Sequence, residues 1–246
     1  MLGIVPLDGE RVRARLPMTT SANKCVVLVP VGAAIEADCE RGLAELEKRG
    51  YEVRRRVIHG AVDLGRSILA STALADGFDE IMWIDSDIGF DADDVDRLRA
   101  HDVAFTCGLY PKRGIPELAC HTKAGTKELV FGPSGGLVEM RYVGFGFCFI
   151  RRKVFEAIEQ SEHLPTCSKK SAQPFVPYFQ PMVIENDDDH WYLAEDFAFC
   201  ERARRAGFPP FADTRIRLFH VGRYGYSWED AMGPRERYEN VKMIVK

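Results

Sequence analysis

The chain has 246 residues, of which 46% are hydrophobic and 28% charged, and its 33 basic and 37 acidic side chains give a formal net charge of -4. A chain of this length buries roughly 70–75% of the surface that its unfolded form exposes, so it needs no disulfide or metal to hold a core. Mild acidity without a long basic block argues against nucleic acid or an anionic membrane as the main partner.

The sequence shows neither a membrane-targeting pattern nor a redox-active pair of cysteines. No apolar run approaches the ~20 residues that span a bilayer, and the longest, from Cys25 to Ile35, is interrupted by Pro30 and Gly32. The N-terminus carries acids and arginines where a secretory signal would be apolar, so we expect a cytoplasmic protein without a transmembrane segment. The seven cysteines form no CxxC pair, and we expect most of them to be reduced, structural thiols.

The first half of the chain alternates between predicted strands and predicted helices. Apolar, β-branched runs predict strands at 25–31, 51–58, 81–84 and 102–110. Helical spacing of apolar residues and the N-cap at Asp91 predict helices at 35–46, 66–75 and 91–99. The alternation predicts an α/β fold with a mainly parallel, Rossmann-like sheet flanked by helices on both faces.

The second half predicts a mixed α+β arrangement. Short β-like runs and helical patterns predict strands at 128–131, 137–143, 145–150 and 215–219, and helices at 152–160 and 194–206. The Pro-rich stretch 161–184 is expected to be irregular. The acidic and aromatic segment 181–192 indicates a mobile loop, and such loops often carry substrate contacts.

Asp85-Ser86-Asp87 is the most informative motif. It directly follows the apolar strand at 81–84, and open α/β sheets bind ligands beyond the carboxyl ends of their strands. Carboxylate oxygens favour Mg²⁺ or Mn²⁺, and such an ion commonly shares its ligand shell with substrate phosphates. The motif therefore predicts a metal–diphosphate site, with a capped turn bearing exposed acids as the alternative.

Two further features lie late in the chain. Glu195-Asp196 begins a predicted helix, where the carboxylates serve either as capping groups or as catalytic acids beside the preceding loop. His220 ends the predicted strand 215–219, and an imidazole there would shift a carboxylate site toward Mn²⁺. A histidine in this position can also be purely structural.

Glycines and basic residues complete the candidate set. Gly144 and Gly146 interrupt a strand-like run, which indicates either close approach of a ligand to the backbone or a bulge. Arg66, Lys112 and Arg113 lie near strand or loop ends of the first half and could face a diphosphate, with a solvated surface charge as the alternative for each.

Over residues 24–228 these motifs occur in the order seen in GT-A-fold glycosyltransferases, and the chain resembles that nucleotide-diphospho-sugar transferase superfamily, close to glycosyltransferase family 2. The segments that carry the resemblance are Val29-Pro30-Val31-Gly32, Asp63-Leu64-Gly65-Arg66, Trp83 to Asp87, Cys107 to Tyr110, Gly144-Phe145-Gly146, Ala194-Glu195-Asp196 and His220.

The resemblance implies a metal-dependent transfer of a sugar, with hexosyl transfer from a UDP-sugar expected, to a hydroxyl of a carbohydrate, protein or small-molecule acceptor. It implies donor-binding roles for Pro30, Val31, Gly32, Asp63, Arg66, Asp85, Ser86, Gly144 and Gly146. It further implies Mn²⁺ or Mg²⁺ held by Asp85, Asp87 and His220. Asp196, or Glu195, would be the catalytic group on the acceptor side.

The resemblance also implies a division of the chain. An N-terminal extension at 1–23 would precede a transferase domain at 24–228, made of a nucleotide-binding half (24–110) and an acceptor half (111–228), with a C-terminal tail at 229–246. The chain departs from the common pattern at Ser67, where Asn usually follows the arginine. It also lacks the membrane segment of many relatives, which favours a soluble acceptor.

Other classes of protein share parts of this pattern. A haloacid-dehalogenase-like phosphatase also places DxD after a strand, with the first Asp as a covalent nucleophile, but after the first strand of the fold. A sugar-nucleotide pyrophosphorylase shares the sheet but carries a Gly- and Arg-rich loop after its first strand. A non-catalytic lectin-like or scaffold module that binds nucleotide sugars is the third alternative.

The segment 220–228 is expected to move. Gly222 and Gly225 give its backbone freedom, and its aromatic residues, including Trp228, offer apolar surface to bury on closing. We therefore expect this segment to fold over a metal–nucleotide complex and exclude water.

Overall fold

The computed structural model describes residues 5–6, 24–222, 224–231 and 239–245. Apart from Val5–Pro6, the predicted N-terminal extension at 1–23 lies outside the described residues, as do Arg223 and, within the predicted tail, residues 232–238 and 246. Within the described ranges, no helix combines the length and the apolar character needed to cross a membrane. The predicted domain boundaries stay predictions.

Five α-helices and one 3₁₀ turn are present in the described residues. The helices are α1 (Ala37–Lys48), α2 (Val62–Ala75), α3 (Ala92–Ala100), α4 (Arg152–Ser161) and α5 (Glu195–Arg205), and the 3₁₀ turn is Trp228–Ala231. All five helices were predicted from the sequence, with small shifts at their ends. The N-cap prediction is confirmed, because the Asp91 carboxylate accepts the N–H of Asp93 at 3.0 Å, an interaction worth about 1 kcal/mol.

The strands divide between one large sheet and three small ones. In chain order they are β1 (Val5–Pro6), β2 (Cys25–Val31), β3 (Glu52–Val57), β4 (Glu80–Ile84), β5 (Ile88–Gly89), β6 (Phe105–Cys107), β7 (Cys120–Thr122), β8 (Glu128–Phe131), β9 (Leu137–Val143), β10 (Phe147–Arg151), β11 (Met182–Asn186), β12 (Asp189–Leu193), β13 (Phe211–Asp213), β14 (Phe219–His220) and β15 (Val241–Ile244).

The large sheet has eight strands in the order β3-β2-β4-β10-β6-β13-β9-β7. Strands β2, β3 and β4 pair in parallel, as β6 and β13 do, whereas β9 and β10 run opposite to the rest. The sheet is thus mostly parallel, as a Rossmann-like fold requires. The antiparallel β10 between β4 and β6 brings the second half of the chain into the middle of the sheet.

Helices cover both faces of this sheet, as predicted. Along β4, Ile81 and Trp83 point into one apolar cluster, and Met82 and Ile84 point into the other. The first cluster receives apolar side chains of α2, α4 and α5, and the second receives those of α1 and α3. Strands buried on both faces read as continuous apolar runs, which explains why 25–31 and 81–84 were recognisable.

The prediction of a mobile loop at 181–192 is wrong. This segment is a β-hairpin in which β11 and β12 pair in register over five residues, from Met182 opposite Leu193 to Asn186 opposite Asp189. Asp187 adopts the left-handed conformation, with φ 53°, at the turn, and aspartate tolerates that region better than most residues. The inner face packs into the core through side chains that include Ile184 and Leu193.

The prediction of a strand at 215–219 is also wrong over most of its length. The strand of the large sheet is β13, which ends at Asp213. The Asp213 carboxylate then accepts the backbone N–H of Arg215 at 3.0 Å and pairs with its guanidinium at 2.7 Å, so the chain turns. Ile216 and Leu218 are nevertheless buried.

Two small sheets tie the end of the chain to its beginning and middle. β14 pairs with β5, placing His220 opposite Ile88, and β15 lies between β1 and β8. The cysteines are free thiols, and five of them are buried, with Cys120 and Cys167 half-buried, as expected for structural thiols. Burial raises the pKa of Cys25 to about 12, which keeps this thiol protonated and inert.

Candidate functional site

The segment Asp85-Ser86-Asp87 forms the turn between β4 and β5 at the carboxyl end of the parallel strands. The Asp85 N–H donates to the carbonyl of Gly146 at 3.0 Å, and the Asp85 carbonyl accepts the N–H of Ile88 at 3.1 Å. The carbonyl of Ser86 accepts the N–H of Glu36 at 2.8 Å. The backbone of the motif is therefore fixed on both sides, and its two carboxylates are held in place.

Arg66 is the central cation of the site. It lies on α2, is only 3% exposed, and donates from Nη2 to Oδ1 of Asp85 at 2.8 Å. Its Nε is 3.8 Å from Oε1 of Glu195 at the start of α5. Its guanidinium also stacks over Trp83 and Phe145, at 5.4 and 5.6 Å from the ring centroids.

Two nitrogens of the Arg66 guanidinium make no hydrogen bond to the described residues. Among the described residues, neither its Nε nor its Nη1 has a hydrogen-bond partner, although both are buried. Burial opposes its charge, but the neighbouring charges of Asp85 and Glu195 outweigh burial and raise its pKa. A buried cation with unsatisfied donors is the arrangement that an incoming oxygen-rich ligand would complete.

Asp87 faces a different set of partners. Its Oδ2 lies 3.4 Å from Nε2 of His220 and 3.3 Å from Nη1 of Arg113. Nδ1 of His220 donates to the carbonyl of Pro111 at 2.9 Å, and Nε2 is directed toward Asp87. Burial opposes ionisation of Asp87, but the hydrogen bond and charge of His220 and the charge of Arg113 lower the pKa of the carboxyl group.

The donor set at Asp87 fits a divalent cation shared with a substrate. Asp87 and His220 offer one carboxylate and one imidazole whose second nitrogen is fixed by a carbonyl, the usual arrangement of a metal-binding histidine. In the part of the chain that the structure describes, no group of three His, Cys, Asp or Glu side chains forms a metal cage. Asp85 is directed to Arg66, and its role as a ligand stays a prediction.

Asp196 provides a carboxyl group of altered acidity beside Arg66. Burial, reinforced by the charge of Glu195, raises its pKa to about 6, while the N–H of Phe197 and the charge of Arg66 work in the opposite direction. Oδ1 of Asp196 accepts that N–H at 2.7 Å. A carboxyl group with a pKa near 6 is mostly ionised at neutral pH and is a better proton acceptor than an ordinary aspartate.

The glycines at 144 and 146 make room for a protein side chain. A Cβ on Gly144 would lie 2.5 Å from the hydroxyl oxygen of Tyr110, and one on Gly146 would lie 2.7 Å from its ring. The N–H of Gly146 donates to that hydroxyl at 2.8 Å. Close approach to this backbone, predicted from the sequence, is thus made by Tyr110, and contact with a donor sugar stays a prediction.

The remaining predicted donor residues lie at the same edge of the sheet. Pro30 and Val31 are buried at the end of β2, and Gly32 is exposed just beyond it. Asp63 lies in the first turn of α2, one turn before Arg66. Their roles in donor binding stay predictions.

The described residues before and after Arg223 pair with each other. The backbones of His220 and Tyr226 exchange hydrogen bonds of 2.7 and 3.1 Å, and Val221 donates to the carbonyl of Asp87 at 2.7 Å. Trp228 is already buried, stacked on Phe131 with ring centroids 5.3 Å apart. The expectation that Trp228 becomes buried on closure is therefore wrong, and closure of the segment before it stays a prediction.

Sequence reasoning missed how the parts of the site are connected. Tyr110 was noted only as the end of a motif, yet its hydroxyl bonds to Gly146 and its ring meets that of His220 edge-on at 5.3 Å. Burial raises its pKa well above the ordinary value, so the hydroxyl stays protonated. A tyrosine ending a buried strand opposite two glycines was the available signal.

Comparison with known proteins adds a shared fold. No protein-family model and no curated protein matches the chain. The chain is similar to the crystal structure of A197 from STIV, with a TM-score of 0.52 and 14% identity over 84% of this chain and 91% of that chain. At this identity, the likeness shows the fold alone.

Two other solved structures are more distant. One is a glycosyltransferase involved in the glycosylation of the major capsid of PBCV-1, with a TM-score of 0.31 and 14% identity over 56% of this chain and 64% of that chain. The other is the inositol-1-phosphate CTP transferase from T. maritima, with a TM-score of 0.40 and 11% identity over 82% of this chain and 91% of that chain. Neither TM-score supports an argument about fold or function.

Proposed function

We propose that the chain is a metal-dependent glycosyltransferase of the GT-A type, which moves a hexosyl group from a nucleotide-diphosphate sugar, such as a UDP-sugar, to an acceptor hydroxyl. The observation that carries the proposal is the pairing of Asp87 with His220 beside the buried Arg66–Asp85 pair. These groups offer a cation site and a fixed positive charge at the edge where α/β sheets bind nucleotides.

On the donor side, Asp87 and His220 would hold Mn²⁺ or Mg²⁺, with Asp85 assisting. A bound divalent cation would stabilise the negative charge that develops on the departing diphosphate. Arg113, half-exposed and 3.3 Å from Asp87, is positioned to reach phosphate oxygens. The free donors of Arg66 would satisfy further oxygens of the nucleotide.

On the acceptor side, Asp196 would act as the general base. The acceptor oxygen forms a bond to the anomeric carbon as the bond from that carbon to the diphosphate oxygen breaks, and the electron pair leaves with the diphosphate. The proton of the acceptor hydroxyl passes to the Asp196 carboxylate, whose raised pKa suits this transfer. Glu195, 3.8 Å from Arg66, would help to keep that arginine in place.

The direct test is calorimetric titration of the full chain with UDP, GDP and CMP, each with Mn²⁺ and with EDTA. We expect one nucleotide to bind only with Mn²⁺, and Asp87→Asn to weaken that binding more than Asp85→Asn. Asp102→Asn is the matched control, because Asp102 is fully exposed and its nearest cation is Arg151 at 3.6 Å. Equal nucleotide binding in EDTA would contradict the proposal.

The catalytic assignment needs a separate measurement. We expect Asp196→Asn to abolish sugar transfer or donor hydrolysis while leaving donor affinity within about twofold, because a group acting on the acceptor contributes to the transition state and little to ground-state donor binding. Parallel loss of donor affinity and rate would show that Asp196 belongs to the donor site.

Product analysis with further substrates separates the alternative functions. A pyrophosphorylase would form a nucleotide sugar and pyrophosphate from a nucleoside triphosphate and a sugar 1-phosphate, a phosphatase would release inorganic phosphate from a phosphate ester through Asp85, and a non-catalytic module would bind without turnover. The phosphatase is disfavoured because the Asp85 carboxylate accepts a charged hydrogen bond from Arg66, which reduces its strength as a nucleophile.

A further inference from the structure

A cavity of about 790 Å³ lies outside the site described above. Its walls come from the segment after Tyr110, from β7, β8 and β9, from the hairpin β11–β12 and from β15. The lining residues used below are Lys112, Leu118, His121, Arg141, Trp191 and Met243. This volume falls within the range of small-molecule binding sites.

Most of the wall is apolar. Leu129 is buried at its base, and Leu118, Trp191 and Met243 contribute half-buried apolar surface. The ring of Trp191 meets that of His121 edge-on at 5.9 Å. A cavity of this composition would take a ligand with a sizeable apolar body.

The charge on the wall is positive. The guanidinium of Arg141 lies over the ring of Trp191, 4.9 Å from its centroid, and donates to Oδ1 of Asn186 at 3.1 Å. Among the described residues, no carboxylate is within ion-pair distance of Arg141, whereas Lys112 is neutralised by Glu117 at 2.9 Å. Arg141 is therefore a pre-oriented cation that has no counter-ion among the residues that the structure describes.

His121 lies in the same environment. Its pKa is lowered by burial and by the charges of Lys112 and Arg141, with Glu117 as the opposing charge. A neutral imidazole near neutral pH adds no further repulsion between cations. The cavity is consequently suited to one anionic group beside Arg141.

The cavity borders the proposed catalytic site. The ring of His121 is 5.1 Å from that of Phe197, the residue after Asp196. Leu118 pairs with Pro111, whose carbonyl lies 2.9 Å from Nδ1 of His220. The segment 111–118 therefore lines the cavity through Leu118 and contacts His220 through Pro111.

We propose that this cavity binds an amphiphile with an apolar body and a single anionic group, the anion pairing with Arg141 and the body lying against Trp191, Leu118 and Met243. Resting on the proposed glycosyl transfer, this assigns the chemical class of the acceptor: an apolar molecule that carries its anion in the cavity and extends a hydroxyl toward Asp196.

The test uses two fluorescent probes of similar aromatic size that differ in charge. 8-Anilinonaphthalene-1-sulfonate (ANS) carries one anionic group, and N-phenyl-1-naphthylamine (NPN) is neutral. We expect the full chain to bind one ANS saturably. Arg141→Gln should weaken ANS binding about 10-fold or more, because a hydrogen bond to a charged group is lost, and should change NPN binding less than about twofold.

Two variants keep the result interpretable if packing changes. Arg141→Lys retains the charge and should retain most of the ANS affinity. Arg55→Gln removes an arginine at the far edge of the sheet, paired there with Glu40 and Glu47, and should leave both probes unaffected. Thermal unfolding is measured for each variant, to show that it is as stable as the native chain when the probe affinities are compared.

The outcomes separate this proposal from the proposed function. Absence of saturable ANS binding, equal ANS affinity in Arg141→Gln, or displacement of ANS by UDP with Mn²⁺ would each overturn it. Nucleotide binding with Mn²⁺ is measured on the same samples. If nucleotide binding with Mn²⁺ is absent while ANS binding persists, the proposed transfer and the acceptor role are wrong, and the anion site in the cavity is retained.

Discussion

Replacing Arg66 by Met tests how far the site depends on one buried cation. The change removes the charge and both contacts, leaving Asp85 and Glu195 facing each other across an apolar side chain of similar length. Breaking a buried ion pair from one side costs roughly 3–5 kcal/mol. The side chains of Asp85 and Glu195 are 28% and 18% exposed, so water recovers part of this cost and roughly 2–4 kcal/mol remains.

Urea unfolding measures that loss. With a slope near 3 kcal/mol/M, reasonable for a chain of this size, the midpoint should fall by roughly 1 M. Nucleotide binding with Mn²⁺ should also be lost, because the donors of Arg66 that lack protein partners are removed. The pKa of Asp196 should rise further above 6, since the positive charge of Arg66 favours its ionised form.

Arg99→Met is the matched control. Arg99 is equally buried and donates to Glu80 at 2.6 Å and to Tyr51 at 2.8 Å, beneath the sheet and away from the proposed site. It should lose a comparable amount of stability and keep nucleotide binding. Equal loss of binding in both variants would show that binding reports global stability only, and unchanged stability in Arg66→Met would refute the electrostatic reasoning.

Three further predictions concern protonation and packing. Transfer should fall as the pH drops below about 6, because Asp196 must be ionised to accept a proton, and Asp196→Asn should remove this pH limb from the rate profile. Burial raises the pKa of Asp94 to about 7, so the unfolded chain loses this proton first and stability falls between about pH 4 and 7. Asp94→Asn should therefore stabilise the chain by roughly 1–4 kcal/mol at pH 8 and by nothing at pH 4, as measured by urea unfolding. Gly146→Ala should cost roughly 1–3 kcal/mol in the same assay, because its Cβ meets the rigid ring of Tyr110 at 2.7 Å, whereas Gly136→Ala adds a Cβ into open space and should be neutral.

Much of the fold was predictable because the responsible signals are local. The run Ile81–Ile84 is apolar on both faces, so it reads as a central strand, and the acids that follow must emerge at its carboxyl end. The start of α3 was predictable because the N-cap at Asp91 depends on a single local hydrogen bond. These predictions depend on residues that lie close together in the sequence.

The errors arose where distant residues decide local structure. Ile216 and Leu218 are buried as strand residues would be, but Asp213 turns the chain before a strand ladder can continue. The contact between Asp87 and His220 depends on pairing of the two-residue strands β5 and β14, and no spacing in the sequence reveals such a pairing. The family resemblance did imply that Asp87 and His220 lie close together, whereas the contacts of Tyr110 with Gly146 and His220 were not predicted.

The balance of charge at the proposed site predicts an order of ligand binding. Asp85 and Asp87 follow β4 and the acids at 195–196 begin α5, while Arg66 and Arg113 supply the opposing charge. Negative charge is in excess, and two like charges 4 Å apart repel by roughly 4 kcal/mol at the effective dielectric near a protein surface. A diphosphate brought here alone would be repelled, whereas a divalent cation reverses the sign. Mn²⁺ alone should therefore bind weakly, UDP alone should not bind, and the affinity for UDP should rise in proportion to the occupancy by Mn²⁺. A UDP affinity that does not change with Mn²⁺ concentration would mean that the arginines, and not a cation, govern nucleotide binding.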